Sequence, residues 1–248
     1  MKAWYEEHFQ EDYLRVYDHR DEEKAAAELA PIMEYVEIRR NMKAVDLCCG
    51  NGRHARWLAR KGIHVTGVDL SAALLKKAID LTSGLPVNYM RGDIRDIPLL
   101  QEYDLAFNLF TSFGYFQDDA ENELVLTRAN EALKPGGIFI FDYLNPLYVE
   151  KHLVPEDSRK TDGLIVRQKR SIHAGYVHKK ILIQDGNSER EYTERVKLYH
   201  QDQLEKMLLR NQLTTLHRFG DYNAAPYSRE TSPRQLFICE KQSGKGHA

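Results

Sequence analysis

The stretch VDLCCGNGRHARWL, Val45 to Leu58, decides the fold. It opens as an apolar run interrupted by one carboxylate, Asp46, turns at Gly50 and Gly52, and continues with apolar residues at helical spacing. A strand that feeds a glycine turn and then a helix is the first half of a βαβ unit. Asp46 also poses a chemical problem, because an ionised group on a buried strand is costly unless something pairs with it. The position calls for a ligand or a network of donors.

Downstream, the same alternation repeats. AVDLCC reads as a strand, RHARWLARKG as a helix ending at Gly62, HVTGVDL as a strand, SAALLKKAIDLTS as a helix with Ser71 as N-cap, and PVNYMRG as a strand. YDLAFNLF follows as a fourth strand, AENELVLTRANEALKPGG as a helix stopped by Lys-Pro-Gly-Gly, and GIFIFDYL as a fifth strand. Strands that are apolar on both faces and alternate with helices imply a parallel sheet covered on both sides. The expected fold is α/β, a doubly wound, seven-stranded, mostly parallel sheet.

Upstream, residues 1–40 read as a helical cap. Asp21 to Arg40 has helical spacing, with Pro31 expected to split the helix or restart it. After Pro146 three β-like runs, GLIVRQKRSIH, YVHKKILIQD and EREYTERVKLYH, are joined by connections too short for crossovers and imply a three-stranded antiparallel insertion over 159–200. QDQLEKMLLRNQ then returns to helical spacing, and LTTLHRFGDY and QLFICEK close the chain as strands. No linker or repeat separates a second domain, so 1–248 reads as one.

The chain has 35 basic and 37 acidic residues, a formal charge of −2, and offers no overall field for nucleic acid or anionic lipid. A small-molecule partner is the default, nucleic acid is disfavoured, and nothing specifies an oligomeric state. The insertion carries ten Lys or Arg against five acids, which fits either a solvated sheet face or a lid that attracts anions. MKAWYEEHFQEDY lacks a signal-peptide pattern, no run is long enough to span a bilayer, and the three cysteines form no disulfide or zinc spacing. A cytoplasmic location and no metal are expected.

Gly50-Asn51-Gly52-Arg53-His54-Ala55 satisfies the G-x-G-x-x-G/A pattern of dinucleotide-binding folds, and Asp69 at the end of the next strand can accept from two ribose hydroxyls. That much suits NAD as well as any adenosine ligand. Asp46 discriminates by charge: a carboxylate there repels a pyrophosphate and attracts an ammonium group. S-adenosylmethionine has an ammonium and no phosphate.

VDLCCGNG, GVDLS, RGDIRDIP and ALKPGGIFIFDYL resemble, in order and spacing, the successive motifs of class I S-adenosylmethionine-dependent methyltransferases. The resemblance implies that Asp46 lies under the methionine end, that Gly50 and Gly52 let the backbone approach the ligand, and that Asp69 holds the ribose with Leu70 against the adenine. It implies further that Asp93 accepts from the adenine amino group, or else makes an Asx turn with its own backbone, and that the Ile94 amide donates to the ring. Asn108 at the end of the fourth strand is counted with the cofactor residues. Cys48 stands where the family carries a glycine, and binding is expected to survive if Cys48 avoids positive φ. Arg53 reaches either the ligand carboxylate or solvent. Tyr13, Tyr17 and Arg20 resemble N-terminal segments that fold over the cofactor, with packing as the alternative.

NLFTSFGYF, Asn108 to Phe116, follows the fourth strand at the edge where such sheets place their chemistry. Phe110, Phe113, Tyr115 and Phe116 form the expected substrate wall, with about half of these rings anchoring the loop instead. Together with WYEEHF and FGDY, the segment resembles bacterial small-molecule methyltransferases of unassigned substrate. Tyr115 and Tyr143 are the candidate general bases, with His173 and His178 behind them. The implied activity is in-line methyl transfer to a small N or O nucleophile. The alternatives are a non-catalytic cofactor- or partner-binding protein on the same fold and an NAD-dependent oxidoreductase.

Overall fold

The computed structural model describes residues 4–5, 11–16 and 21–243. Among the described residues, the N-terminal helices α1 (Glu11–Val16) and α2 (Glu22–Met33) precede the alternation β1 (Lys43–Leu47), α3 (Arg53–Arg60), β2 (His64–Asp69), α4 (Ala72–Asp80), β3 (Val87–Arg91), β4 (Tyr103–Asn108), α5 (Asp119–Ala132) and β5 (Leu133–Leu144). Then follow α6 (Pro146–His152), the antiparallel strands β6 (Glu156–Thr161), β7 (Leu164–His173), β8 (Tyr176–Asp185) and β9 (Ser188–Lys197), and finally α7 (Gln201–Arg210), β10 (Leu213–Phe219) and β11 (Arg234–Lys241).

The main sheet has seven strands in the order β10-β11-β5-β4-β1-β2-β3. β1 pairs in parallel with β2 on one side and β4 on the other, and only β11 runs against its neighbours. The chain reverses its direction of winding between β3 and β4, so a crevice opens above the carboxyl end of β1, where such sheets bind ligands. Successive residues of β1 face opposite layers: Val45 and Leu47 pack with Phe139, Phe141, Val125 and Leu204, while Ala44 packs with Leu29, Ile32, Ala55 and Leu58. Asp46 shares the parity of Ala44 and therefore points toward the α2 and α3 side. The helices hold because their apolar stripes cover these two faces. Ser71 caps α4 by accepting from the Leu74 amide at 3.1 Å, as its sequence predicts.

Two expectations need correction. Pro31 neither splits α2 nor restarts it; it lies in the last turn, and the helix ends at Met33, so 34–40 is not helical. Near the end of a helix a missing N–H removes a single bond, and termination two residues later is its only consequence. The antiparallel sheet has four strands, because β6 (EDSRKT) precedes the three expected. It has no apolar alternation and forms only as an edge strand on β7, so periodicity could not reveal it. α6 was also unread, although Pro146 sits at its N1 position.

One face of the four-stranded sheet buries Leu164, Val166, Ile181 and Ile183 around Val16 of α1. Asp12 of α1 accepts from Arg190 and from the Tyr192 hydroxyl at 2.6 and 2.7 Å, and Arg15 reaches Asp162 and Asp185. The basic insertion is thus partly neutralised, with Arg170 on Asp157, Lys197 on Asp119 and Lys179 on Glu194. α1 and this sheet are one packed unit beside the crevice.

Candidate cofactor cleft

A cleft opens at the carboxyl end of β1, lined by Asp46, Cys48, Gly50, Arg53, Asp69, Leu70, Asp93 and Ile94 from the sequence-derived set. Phe110, Tyr115 and Phe116 close it from the loop after β4, and Tyr13 reaches it from α1. Residues drawn from six segments of chain converge there because each follows, or packs over, the end of a parallel strand.

Asp46 is 2% exposed, and its Oδ2 is buried with no hydrogen-bond partner among the described residues. Burial, reinforced by the Asp69 charge, pushes its carboxyl up to about 7, against the pull of Arg53. Beside it, Arg53 donates to Glu28 at 2.6 Å and lies over the Phe110 ring at 4.3 Å. His54 shares the Glu28 carboxylate at 3.0 Å, and burial lowers its ring to about 4, so it is neutral at physiological pH. The end of the cleft therefore places an unsatisfied carboxylate next to a guanidinium, a pairing that suits a group carrying both signs of charge.

Asp69 accepts from the Gly50 amide through Oδ2 and the Ser71 amide through Oδ1, each at 2.8 Å. Burial raises its carboxyl, and these amides counter the rise. Asp93 makes the Asx turn, accepting from the Arg95 amide at 2.9 Å, and is clasped by the Arg95 side chain at 2.7 Å. Although burial opposes it, this clasp holds Asp93 below the usual carboxylate range. The turn reading of Asp93 is met, and the side chain still lines the cleft.

A methyltransferase-domain family matches residues 44–137, from the start of β1 into β5. The class I methyltransferase fold is present. A ubiquinone biosynthesis O-methyltransferase of Chromobacterium violaceum is 30% identical over 135 residues, covering 52% of this chain and 57% of that protein, so the chain spans little more than half of that relative. A solved S-adenosylmethionine-dependent methyltransferase of Clostridium acetobutylicum superposes with a TM-score of 0.81 at 20% identity, covering 94% of this chain and 98% of its own. The CcbJ methyltransferase of Streptomyces caelestis gives 0.79 at 18% identity over 97% and 99%. The last two extend the likeness of fold over nearly the whole chain.

Within the methyltransferase fold, several expected site residues stand elsewhere. Cys48 does not avoid positive φ; it sits at +65°, where the Cys49 amide donates to Val68 O and the Gly52 amide to Cys49 O, and this tight turn requires it. The left-handed conformation costs about 1–2 kcal/mol for a residue with a Cβ. Burial pushes both loop thiols well up, so neither is a reactive thiolate. Gly52 does not line the cleft; a Cβ there would meet Tyr89 Oη at 2.2 Å, so this glycine serves loop packing, whereas at Gly50 the space is open. Asn108 is fully buried beneath the cleft, its amide donating to Leu47 O and Ser112 O at 3.2 Å. It braces the loop rather than lining the site.

Phe113 is fully buried against Phe141, Tyr143 and Tyr199, an anchor rather than a pocket wall. Tyr143 is equally buried, donates to Lys197 O, and is raised further by burial, so it is no general base. Tyr143→Phe is expected to cost about 1 kcal/mol of stability and to leave cofactor affinity unchanged, read by thermal melting and calorimetry on one sample. A large loss of affinity would return Tyr143 to the site. His173 is exposed next to the β7–β8 turn, and His178 borders a second cavity rather than the cleft. Tyr17 and Arg20 lie outside the described residues.

Sequence reading missed three groups of this methyltransferase fold. Glu28 and His54 complete the Arg53 cluster; their signal, a Glu on the buried stripe of α2, is visible only once α2 packs on α3. Tyr5 and Leu14 join the cleft lining from the N-terminus. Asp142, in the quoted run GIFIFDYL, is fully buried and accepts from the Phe110 amide at 2.8 Å, the Tyr222 hydroxyl at 2.6 Å and Arg234 Nε at 2.8 Å. A carboxylate inside an apolar strand was the signal that marked Asp46, and it was available here too.

Proposed function

We propose that this protein is an S-adenosylmethionine-dependent methyltransferase that acts on a small-molecule nitrogen or oxygen nucleophile. The observation that carries the reading is the unpartnered Oδ2 of buried Asp46 beside Arg53. An amino acid end satisfies it with its ammonium and meets the guanidinium with its carboxylate, whereas a pyrophosphate would face a repelling charge. Asp69 keeps a lone pair on each oxygen for a ribose hydroxyl, and Leu70 and Ile94 offer apolar contacts to the adenine, with Asp93 at its amino edge. When bound, the cofactor supplies a methyl group on a sulfonium with a neutral thioether as leaving group.

The chain's own part is alignment and exclusion of water. Tyr115 and Phe116 line both the cleft and a second cavity, which is bordered by Tyr5, Arg95, Arg170, Lys179 and Glu194. That shared wall is where an acceptor would approach, and the packed unit of α1 and the antiparallel sheet serves as the lid over it. Tyr115, which with Tyr5 borders both cavities, stays the candidate general base for a hydroxyl or ammonium acceptor, a role it would fill as the phenolate. The ubiquinone-pathway relative acts by its name on oxygen, which supports a small acceptor here. No helix among the described residues is long and apolar enough to cross a membrane. Calorimetry with S-adenosylhomocysteine and with NADH tests the cofactor: heat with the first alone supports the reading, and heat with NADH alone ends it. A methyl-transfer screen over amines, phenols and carboxylates then separates an enzyme from a binding protein.

A further inference from the structure

We propose that Asp142, Arg234 and Tyr222 form a positioning hub that holds a strained two-residue turn, Phe110-Thr111, against the cofactor cleft. Phe110 and Thr111 both sit at left-handed φ, +58° and +60°. For a β-branched threonine that is a genuine outlier, and such strain persists only where surrounding bonds over-determine it. Here they do. Asp142 of β5 accepts from the Phe110 amide, Arg234 of β11 donates to Asp142 through Nε and Nη2, and the same Nη2 donates to Thr111 Oγ1 at 2.7 Å. Tyr222 donates to Asp142 at 2.6 Å and stacks on the Phe110 ring, with centroids 5.3 Å apart.

The consequence reaches the cleft through Phe110. Its ring lies under the Arg53 guanidinium at 4.3 Å and stacks on His54 at 5.5 Å, and both of those side chains bind Glu28. The hub thus fixes the wall against which Arg53 is set, at the end of the cleft where Asp46 lies. Were the turn to relax to negative φ, Phe110 would leave Arg53, and the guanidinium would lose its fixed direction. None of the three hub residues lines the cleft, so they act through Phe110 and are not catalytic residues.

The inference rests on the proposed cofactor reading, and its test keeps the two apart. Wild type, Arg234→Lys, Thr111→Val, and the double variant Arg234→Lys with Thr111→Gly are compared by calorimetry with S-adenosylhomocysteine, with thermal melting as the control for folding. A lysine in place of Arg234 keeps the charge beside Asp142 but cannot span both partners, and a valine in place of Thr111 keeps the shape while removing the acceptor. Each single variant is expected to lose about tenfold in affinity. A glycine in place of Thr111 adopts the left-handed conformation without strain, so the double variant is expected to recover to within about threefold of wild type. A merely structural role would give no such rescue. Wild-type affinity in Arg234→Lys, or no recovery in the double variant, overturns the hub while wild-type binding leaves the cofactor reading intact. Absence of wild-type binding removes both.

Discussion

Replacing Asp69 by alanine is expected to weaken S-adenosylhomocysteine binding by about 2–4 kcal/mol, or about 30- to 1000-fold. The carboxylate has two tasks. Each oxygen accepts one backbone amide, from Gly50 and from Ser71, and each retains a lone pair for a ribose hydroxyl. A bond from a hydroxyl to a charged acceptor contributes about 1.5–3 kcal/mol, and losing one partner also leaves the other poorly solvated. Alanine removes both acceptors and frees the Gly50 amide in the glycine turn, so part of the loss arises from a looser loop. Asp69→Asn separates the parts: it keeps one acceptor and is expected to fall between wild type and alanine. Isothermal titration at constant pH measures all three, and an alanine variant that binds like wild type would place the ribose elsewhere.

The quoted strand and glycine turn revealed the sheet because parallel strands are apolar on both faces and the turn must follow them, and both signals are local. Ser71 as a helix cap and Asp69 at a strand end are local in the same sense. What stayed illegible depends on packing between distant segments. Tyr143 and Phe113 looked like site aromatics by position, yet their neighbours, Tyr199 and Lys197, come from the end of the antiparallel insertion, more than fifty residues on, and bury them. Gly52 matched a binding motif, but its reason is Tyr89 on another strand. Asp142 needed Arg234, ninety-two residues away, before its burial made sense. A polar strand such as β6 leaves no periodic trace at all. The fold and the strand ends that border the cleft were therefore readable, while Gly52, Asn108 and part of the aromatic wall took places that only distant packing explains.

Cofactor affinity is expected to rise about tenfold or more between pH 5.5 and 7.5, because Asp46 must be ionised to receive an ammonium group. In the free protein burial raises this carboxyl to about 7, so across most of that interval it carries a proton that binding must expel. The bound ammonium favours the charged form and pulls the folded-state value down, and linkage then makes affinity increase with pH until the free carboxyl is fully ionised. The free protein follows the opposite sign. With its value raised above that of the unfolded chain, Asp46 is most favourable to folding below about pH 4, and that contribution fades as pH climbs to 7. The rise in melting temperature caused by S-adenosylhomocysteine should accordingly grow from pH 5.5 to 7.5. Asp46→Asn keeps the shape, abolishes the titration, and is expected to bind more weakly at pH 7.5 with little dependence on pH. Titration calorimetry across that range, with both proteins in the same buffers, decides the matter: a flat wild-type profile would mean that the buried carboxylate does not face the ligand's amino group.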